Sequence, residues 1–583
     1  MIRKLARSIR QYKRDTILTP LSMTLEVIME VLLPIIMADL IDNGISAGNS
    51  AVVWRDGLLL AGVSILSLLS GLLGGVFGAR ASSGFARNLR HDMYYRLQDY
   101  SFSNIDKFST SSLITRLTTD VSNVQNAFQM LIRMAARSPL MLIFSAIMAF
   151  RVNARLALIF LCVVPFLAVG LTYVATHAHP VFRKVFKTYD SLNNVVQENV
   201  RGMRVVKSFV REDYEDKKFE DISGQVCTLF TKAERIIALN SPLMQFAMYA
   251  CTLLISWFGA KFILSSVGQP NAMTTGELNS LLTYSMQILG SLMMLSFMFV
   301  MLTISRASGE RICEVLDEQS DLHSPENART EIPDASVDFD GVSFSYAGNK
   351  KRLCLEDVNL HIHSGETIGI VGGTGSSKST LVQLIPRLYD ATEGVVKVGG
   401  HDVKEYDLEA LRNSVAMVLQ KNVLFSGTIR ENLRWGNPDA TDEELVAACR
   451  LAQAHEFIEG FPQGYDTFIE QGGSNVSGGQ KQRLCIARAI LKKPKILILD
   501  DSTSAVDTRT DALIREGMKK IIPGTTTFII AQRVSSVMDA DKIIVLDGGR
   551  VNGFGTHDEL MQTNEIYREV YTSQTKGGGD YDE

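Results

Sequence analysis

The first half of the chain contains six apolar runs, each long enough to cross a lipid bilayer as a helix. About 20 apolar residues span the hydrocarbon core of a membrane. A segment in lipid must also satisfy its own backbone hydrogen bonds, which favours helices. The sequence therefore predicts a helical membrane domain of six spans. These spans lie at roughly residues 16–41, 57–79, 130–150, 155–177, 239–265 and 278–304.

Lysine and arginine are distributed unevenly among the connections between these runs. The connections at 80–128 and 178–238 are rich in basic residues, as is the N-terminal stretch, whereas 42–56 holds only Arg55 and 266–277 holds no basic residue. Cytoplasmic connections carry the excess of basic residues in membrane proteins. We therefore predict that both termini and the two long connections are cytoplasmic. The basic N-terminus lacks a cleavage site and is interpreted as an interfacial helix that leads into a retained span.

Four ionisable residues fall inside the predicted spans. Glu26 and Glu30 lie one turn apart in the first span, and Arg133 and Arg137 lie one turn apart in the third. Charge inside a membrane is costly and is often functional. Two interpretations remain open at this stage. The residues lie at the membrane interfaces or form an ion pair between two helices, or they line a substrate cavity.

From about residue 335 the pattern changes to short β-rich runs that alternate with helices, which predicts an α/β domain with a parallel sheet. A Gly- and Ser-rich turn lies between a predicted strand, Thr367–Val371, and a helix that begins around Thr380–Leu388. Backbone N–H groups of such a turn bind phosphates, a lysine adds a positive charge, and the following serine can ligate Mg²⁺. The predicted phosphate-binding residues are Gly373, Thr374, Gly375, Ser376, Ser377, Lys378, Ser379 and Thr380. Ser377 stands where the strict motif has glycine.

A second apolar strand, Ile496–Leu499, runs into Asp500 and Asp501. A carboxylate at the end of a strand can hold Mg²⁺ through water. Between the two strands lies Ser477-Gly478-Gly479-Gln480, which precedes a predicted helix at Lys481–Leu491. The N-terminus of a helix can also meet a phosphate.

Together these segments resemble the nucleotide-binding domain of ABC transporters, and the six spans resemble the exporter-type transmembrane domain of the same family. The resemblance covers nearly the whole chain. It implies a membrane α-helical domain with long cytoplasmic extensions and an α/β P-loop ATPase domain. The expected domains are an interfacial elbow helix (1–15), a transmembrane domain (16–312), a linker (313–334), a nucleotide-binding domain (335–575) and a disordered acidic tail (576–583).

The resemblance also implies roles for individual residues. Tyr346 would stack on adenine, Gln420 would reach Mg²⁺ together with Ser379, and Asp500 would hold the metal through water. Ser477, Gly478, Gly479 and Gln480 would contact ATP that is bound by an opposite subunit. Ser504-Ala505-Val506-Asp507 resembles the loop that links the two ATP sites, and Asp507 belongs to it. Short coupling helices are expected at about Ser101–Asp106 and Arg211–Lys218.

Two positions depart from the family pattern. Asp501 stands where the family has its catalytic glutamate, and Gln532 stands where it has its switch histidine. Aspartate is one methylene shorter than glutamate, and loss of a general base typically costs about 10²–10⁴ in rate. Glutamine cannot carry the proton of an imidazole. This pattern resembles the degenerate-site subunit of bacterial heterodimeric ABC exporters, in which ATP and Mg²⁺ bind at both sites and the partner half-transporter performs most of the hydrolysis.

Other functions remain open or are disfavoured by composition. A slow homodimeric exporter and an ATP-gated regulator or channel are the alternatives to a heterodimeric exporter in a bacterial plasma membrane. Some importers share the membrane domain, so the direction of transport comes from the resemblance alone. The net charge of −4 provides no basic field for nucleic acid. The seven scattered cysteines indicate a reduced protein. Amphipathic small molecules, lipids and peptides are all possible substrates.

Overall fold

The computed structural model describes residues 1–265, 273–350, 352–502, 506–521 and 524–576. The chain forms two compact units. The first comprises Met1–Gln98 and Thr110–Glu318, and the second comprises Asp99–Ser109 and the residues from Gln319 onward. The predicted acidic tail beyond residue 576 lies outside the described residues, as do Ser504 and Ala505.

Long helices dominate the chain up to residue 318. In order, they are α1 (Ile2–Leu5), α2 (Lys13–Asp39), α3 (Ser50–Gln98), α4 (Phe102–Lys107), α5 (Thr110–Thr115), α6 (Val121–Val152), α7 (Ala154–Ser208), α8 (Glu212–Ala238), α9 (Asn240–Ser265) and α10 (Thr275–Asp317). A 3₁₀ segment (Ala6–Tyr12) precedes α2, and π-helical segments (Leu40–Ser46 and Arg116–Asp120) follow α2 and α5. All but α4 belong to the first unit.

Six helical stretches of the described chain are long and apolar enough to cross a membrane, which confirms the predicted number of spans. Their exposed faces carry large apolar side chains such as Leu58, Leu68, Leu72 and Leu253. Apolar side chains on the outer face of a long helix are stable in the hydrocarbon core of a membrane. These faces are therefore suited to contact with a bilayer. The six stretches are Ile2–Ser46, Ser50–Gln98, Thr110–Val152, Ala154–Ser208, Glu212–Ser265 and Thr275–Asp317.

The two expected coupling helices have different outcomes. The first is present as the short helix α4, which begins with a capping box between Ser101 and Asn104. The second expectation, a short helix at Arg211–Lys218, is wrong. These residues form the beginning of the 27-residue helix α8, and the chain turns just before it at Val210, whose φ is 52°. A three-residue turn with Val210 in a left-handed conformation therefore separates two long helices where a separate short helix was expected.

The charged residues of the first and third spans form an ion pair between α2 and α6. Nη2 of Arg137 lies 2.9 Å from Oε1 of Glu30 and 3.3 Å from Oε1 of Glu26. Gly71 of α3 leaves room for this group, because a Cβ there would lie 3.2 Å from the Glu26 carboxyl carbon. Pairing reduces the cost of charge inside a membrane. The contacts thus match the ion-pair interpretation of Glu26, Glu30 and Arg137.

A second ion pair joins α10 to the π-helical segment Arg116–Asp120. Asp120 has no exposed surface, and Oδ2 of its carboxylate accepts a hydrogen bond of 2.7 Å from Nε of Arg311. Nη2 of Arg311 donates to the other carboxylate oxygen, to which the Ser308 hydroxyl also donates at 2.8 Å. A buried carboxylate with three donors is fully satisfied, so this cluster fixes the π-helical turn against α10.

The second unit consists of two main sheets with helices around them. Its strands are β1 (Val337–Phe344), β2 (Leu355–Ile362), β3 (Thr367–Gly372), β4 (Glu393–Val398), β5 (His401–Asp402), β6 (Val415–Val418), β7 (Gly427–Thr428), β8 (Phe468–Ile469), β9 (Ile496–Asp500), β10 (Thr526–Ile530), β11 (Lys542–Asp547) and β12 (Arg550–Gly555). Its helices after α4 are α11 (Lys378–Gln383), α12 (Leu408–Ser414), α13 (Ile429–Arg434), α14 (Asp442–Leu451), α15 (His455–Glu459), α16 (Gly478–Leu491), α17 (Thr508–Ile521), α18 (His557–Thr563) and α19 (Glu565–Lys576).

The larger sheet has the order β12-β11-β3-β10-β9-β6, in which all neighbours are parallel except β12 and β11. The smaller antiparallel sheet has the order β2-β1-β4-β5. Apolar residues of β3, β9 and β10 are buried on both faces of the large sheet, as is typical of parallel strands. The carboxyl ends of parallel strands meet at one edge, where α/β proteins bind their ligands.

Candidate functional site

The loop from Gly373 to Ser377 follows β3 at the carboxyl edge of the large sheet and leads into α11. Nζ of Lys378 donates to the carbonyl oxygens of Gly372 and Gly373, both at 2.8 Å. Gly372 permits a close approach between strands, because a Cβ there would lie 2.2 Å from the carbonyl oxygen of Leu546 in β11. Gly373, Thr374 and Gly375 are exposed, and the first N–H groups of α11 have no partner within the helix. The loop can therefore accept an anionic ligand.

Ser377 adopts a left-handed conformation with φ of 68°, and its side chain does not cap α11. This conformation costs a non-glycine residue roughly 1–2 kcal/mol. Ser377→Gly is therefore expected to raise the free energy of unfolding of the second unit by about 1 kcal/mol, because glycine adopts this φ without steric cost. Thermal unfolding of the full chain measures this change.

The neighbouring substitution Ser376→Gly provides the matched control. Ser376 is buried, and its Oγ lies 3.4 Å from Nζ of Lys378. Ser376→Gly should therefore lower stability, since it removes a buried contact and adds chain entropy to the unfolded state. Equal effects of the two substitutions would contradict the strain at Ser377.

Ser379 and Asp500 bring two oxygen ligands together. The Ser379 hydroxyl donates to Oδ1 of Asp500 at 3.0 Å, although 121 residues separate them. Burial raises the pKa of Asp500, and the negative charge of the neighbouring Asp501 raises it further. Burial lowers the pKa of Lys378. A phosphate chain with Mg²⁺ would favour the charged form of both groups. Hydroxyl and carboxylate oxygens are the ligands that Mg²⁺ takes in proteins, so the residues present fit a magnesium–nucleotide complex.

Asp501 lies directly beside Asp500, and two glutamine side chains contact it. Nε2 of Gln532 donates to Oδ2 of Asp501 at 2.8 Å, and Nε2 of Gln420 lies 3.4 Å from the same oxygen. The pairing of β9 with β10 brings Asp501 and Gln532 together, because each follows the end of one of these adjacent strands. The carboxylate that stands where the resemblance implies a catalytic glutamate is thus held by amide donors, which makes it less available to orient and deprotonate a water molecule.

The loop that carries Gln532 is fixed by Gln574, a residue of α19 that the sequence analysis did not identify. Nε2 of Gln574 donates to the carbonyl oxygen of Gln532 at 2.9 Å, and its Oε1 accepts from the backbone N–H of Val534 at 2.8 Å. No local sequence pattern predicts this contact, since about 40 residues separate the partners.

Tyr346 lies over the helix that follows the phosphate loop. Its hydroxyl lies 3.1 Å from Oγ1 of Thr380 and 3.2 Å from Oε1 of Gln383. The residue remains 49% exposed, so part of its surface is open to an aromatic base. Burial of its inner part raises the pKa of the hydroxyl, which keeps it protonated at neutral pH.

Ser477 and Gln480 form the capping box of α16 and do not contact the phosphate loop. The Ser477 hydroxyl accepts the backbone N–H of Gln480 at 3.3 Å, and Oε1 of Gln480 accepts the N–H of Ser477 at 2.9 Å. Ser477 and Gly478 are exposed. Among the described residues, no hydrogen bond joins this segment to residues 372–380. The helix N-terminus is thus presented to solvent, where a second molecule can use it.

Asp507 precedes α17 and acts as a cap for its first turn. Its carboxylate accepts the backbone N–H of Thr510 at 2.9 Å and the Thr510 hydroxyl at 2.8 Å. These hydrogen bonds lower the pKa of Asp507. Ser379 meets Asp500, and Gln420 and Gln532 meet the adjacent Asp501, so these five residues form one group. Asp507 and the Ser477–Gln480 segment have local partners instead.

Comparison with known proteins places both units in one family. The model of the ABC transporter transmembrane region matches residues 16–292, and the ABC transporter model matches residues 355–504. The chain is 37% identical over 552 residues to the uncharacterized ABC transporter ATP-binding protein YfiB of Bacillus subtilis, with 95% of each chain covered. It is 35% identical over 576 residues to the uncharacterized ABC transporter ATP-binding protein Rv1273c of Mycobacterium tuberculosis, with 98% of each covered.

A solved structure with the same fold is that of a bacterial Atm1-family ABC exporter with ATP bound. It has a TM-score of 0.80 and 25% sequence identity to this chain, and the match covers 97% of this chain and 98% of the other.

Proposed function

Since this chain belongs to the ABC transporter family and carries a transmembrane region and an ATP-binding domain, we propose that it is the hydrolysis-impaired half of a heterodimeric exporter. Its own site binds ATP and Mg²⁺ and hydrolyses slowly. Its Ser477–Gln480 segment completes the active site of a second half-transporter. The pair moves amphipathic small molecules, lipids or peptides out of the cytoplasm of a bacterium, with both termini on the cytoplasmic side.

The observation that carries this proposal is the contrast between the two parts of the site. The residues that would hold the nucleotide keep their expected chemistry apart from Ser377: Lys378 lies at the phosphate loop, and Ser379 meets Asp500 at 3.0 Å. The residue that would activate water departs from the family pattern. Asp501 is one methylene shorter than glutamate, and it accepts a hydrogen bond of 2.8 Å from Gln532. Bound Mg²⁺ would neutralise charge on the transferred phosphoryl group. Binding without an efficient base produces a site that retains ATP.

Exposed apolar residues support a partner. The turn between α7 and α8 presents Phe209 and Val210, and the second unit presents the stacked rings of Phe425 and Trp435, whose centroids are 4.2 Å apart. Large apolar side chains grouped on a soluble surface mark sites of protein association. The exposed Ser477 and Gly478 add a polar surface that fits the phosphates of another subunit's ATP.

ATPase activity of the chain purified alone and after co-expression with the product of the adjacent ABC transporter gene tests the proposal. Activity is expected only with the partner, and it should fall by about 10²-fold or more when the partner's catalytic glutamate is replaced by glutamine. Comparable activity of this chain alone would support a homodimeric exporter instead. ATP binding without substrate movement against a gradient would support an ATP-gated channel or regulator.

A further inference from the structure

The helix α4 packs with the ATPase unit, although it lies between membrane helices in the sequence. Three of its residues hold it there. The Ser103 hydroxyl donates to Oδ2 of Asp321 at 2.7 Å, Nδ2 of Asn104 donates to the carbonyl oxygen of Gln319 at 3.1 Å, and Asp106 accepts from Tyr389. The first two partners lie in the segment that leads into the ATPase sheets. The third lies beyond the helix that follows the phosphate loop.

Tyr389 contacts α4 through both its hydroxyl and its ring. The hydroxyl donates to Oδ2 of Asp106 at 2.7 Å, and the ring centroid lies 6.0 Å from that of Phe102. Burial raises the pKa of the Tyr389 hydroxyl well above its ordinary value, and Asp106 raises it further. The hydroxyl therefore stays protonated at physiological pH and remains a donor to the Asp106 carboxylate.

The opposite side of Tyr389 contacts the aromatic residue of the nucleotide site. The rings of Tyr389 and Tyr346 are perpendicular, with centroids 5.2 Å apart, and Phe344 packs against both at 4.9 Å and 5.6 Å. Edge-to-face pairs of this kind depend on orientation, so a rotation of one ring changes the packing of the next. Tyr346 also hydrogen-bonds α11 through Thr380 and Gln383. A continuous aromatic path thus runs from Tyr346 through Tyr389 to Phe102.

We propose that Tyr389 is a positioning residue that makes α4 respond to the adenine base of the nucleotide rather than to its phosphates alone. Adenine that stacks on the exposed surface of Tyr346 fixes that ring, and Tyr389 passes the constraint to α4 through Phe102 and Asp106. Covalent continuity with α3 and α5 then extends the effect to the membrane helices. The inference rests on the proposed nucleotide site at Tyr346.

Hydrogen–deuterium exchange of residues 99–109 in the full chain in lipid nanodiscs tests the proposal. The ligands are Mg²⁺ with a non-hydrolysable ATP analogue, and Mg²⁺ with tripolyphosphate, which has the phosphates without a base. Displacement of a fluorescent ATP analogue confirms that each ligand is bound. The ATP analogue is expected to slow exchange in α4, and tripolyphosphate is expected to leave it unchanged.

Tyr389→Phe keeps the ring and removes the hydrogen bond to Asp106. It should bind the ATP analogue normally and speed exchange in α4 by about fivefold, the change expected when one hydrogen bond is lost. In Tyr389→Phe, the difference in α4 exchange between the ATP analogue and tripolyphosphate should also become smaller. In Tyr389→Leu, that difference should disappear. The control is Tyr406→Phe, at a different place in the same unit. It removes a hydroxyl that donates to the carbonyl oxygen of Val398 at 2.8 Å. Its α4 exchange should match that of the unmodified chain.

Three results would overturn the proposal. The first two concern this inference alone, and the third also concerns the proposed function. Equal slowing by tripolyphosphate and the ATP analogue would show that α4 responds to phosphates. If Tyr389→Leu kept the full difference in α4 exchange between the ATP analogue and tripolyphosphate, Tyr389 would not be part of the path. Failure of the ATP analogue to bind at all would contradict the proposed function itself, together with this inference.

Discussion

Asp501→Glu combined with Gln532→His is expected to raise ATP turnover at this chain's own site by about 10²-fold or more, which is the lower end of the range for a general base. The glutamate carboxylate extends one methylene beyond the position at which Gln532 now donates to Asp501 at 2.8 Å. Histidine replaces an amide that cannot take up or release a proton with a ring that can do both near neutral pH. The phosphate-binding residues are unchanged, so the gain should appear in turnover rather than in ATP affinity.

The measurement requires a background in which only this site is active. We would co-express the double variant with the partner half-transporter whose catalytic glutamate is replaced by glutamine. Asp547→Glu with Gln562→His makes the same two chemical changes at exposed positions and should leave turnover unchanged. Thermal unfolding must accompany the assay, because Asp501 has φ of 49°, a conformation that glutamate tolerates less well than aspartate. Unchanged turnover by a folded, ATP-binding double variant would contradict the role assigned to these positions.

Arg311→Leu is expected to lower the free energy of unfolding by about 3–5 kcal/mol, the usual result of leaving a buried charge without its partner. Asp120 has no exposed surface and receives two of its three hydrogen bonds from Arg311. Leucine fills part of the space but donates nothing. The buried carboxylate then keeps the hydrogen bond from the Ser308 hydroxyl, at 2.8 Å, and loses both from the guanidinium.

Asp120→Asn is the matched variant, and its cost should be smaller. The Arg311 side chain is 48% exposed, so its guanidinium can be solvated by water when the carboxylate is neutralised. Unfolding of the full chain in mixed micelles with increasing denaturing detergent would rank both variants against the unmodified protein. A larger loss for Asp120→Asn than for Arg311→Leu would contradict the argument from burial.

Local patterns predicted much of this fold. The six apolar runs predicted six membrane-spanning helices because their length alone meets a physical requirement of the bilayer. The strand before the phosphate loop and the strand before Asp500 were predicted for a similar reason, since short apolar runs bounded by turns form buried parallel strands. The sequence of Ser477 and Gln480 fits the capping box that begins α16.

Contacts between distant residues could not be predicted in this way. Gln574 and Tyr389 have no local pattern that distinguishes them from other polar or aromatic residues, and their roles arise from which strands and helices become neighbours. The sequence identified Asp501 and Gln532 as departures from a family pattern, but the hydrogen bond between them depends on the pairing of β9 with β10. The prediction of a separate short helix at Arg211–Lys218 was wrong, because residues from Glu212 onward continue without a break through the long helix α8.

The chain passes from one compact unit to the other at three points, after Gln98, Ser109 and Glu318. A ribosome therefore releases α4 long before the residues that surround it, and 283 positions separate Asp106 from Tyr389. Closing so long a loop costs only slightly more entropy than closing a shorter one, but it cannot occur until about two thirds of the chain has been synthesised. Until then Phe102 and Asp106 lack their partners. Completion of the ATPase unit is thus a late step in biogenesis, and a chain truncated before Tyr389 would leave α4 exposed to the chaperones and proteases that recognise unfinished proteins.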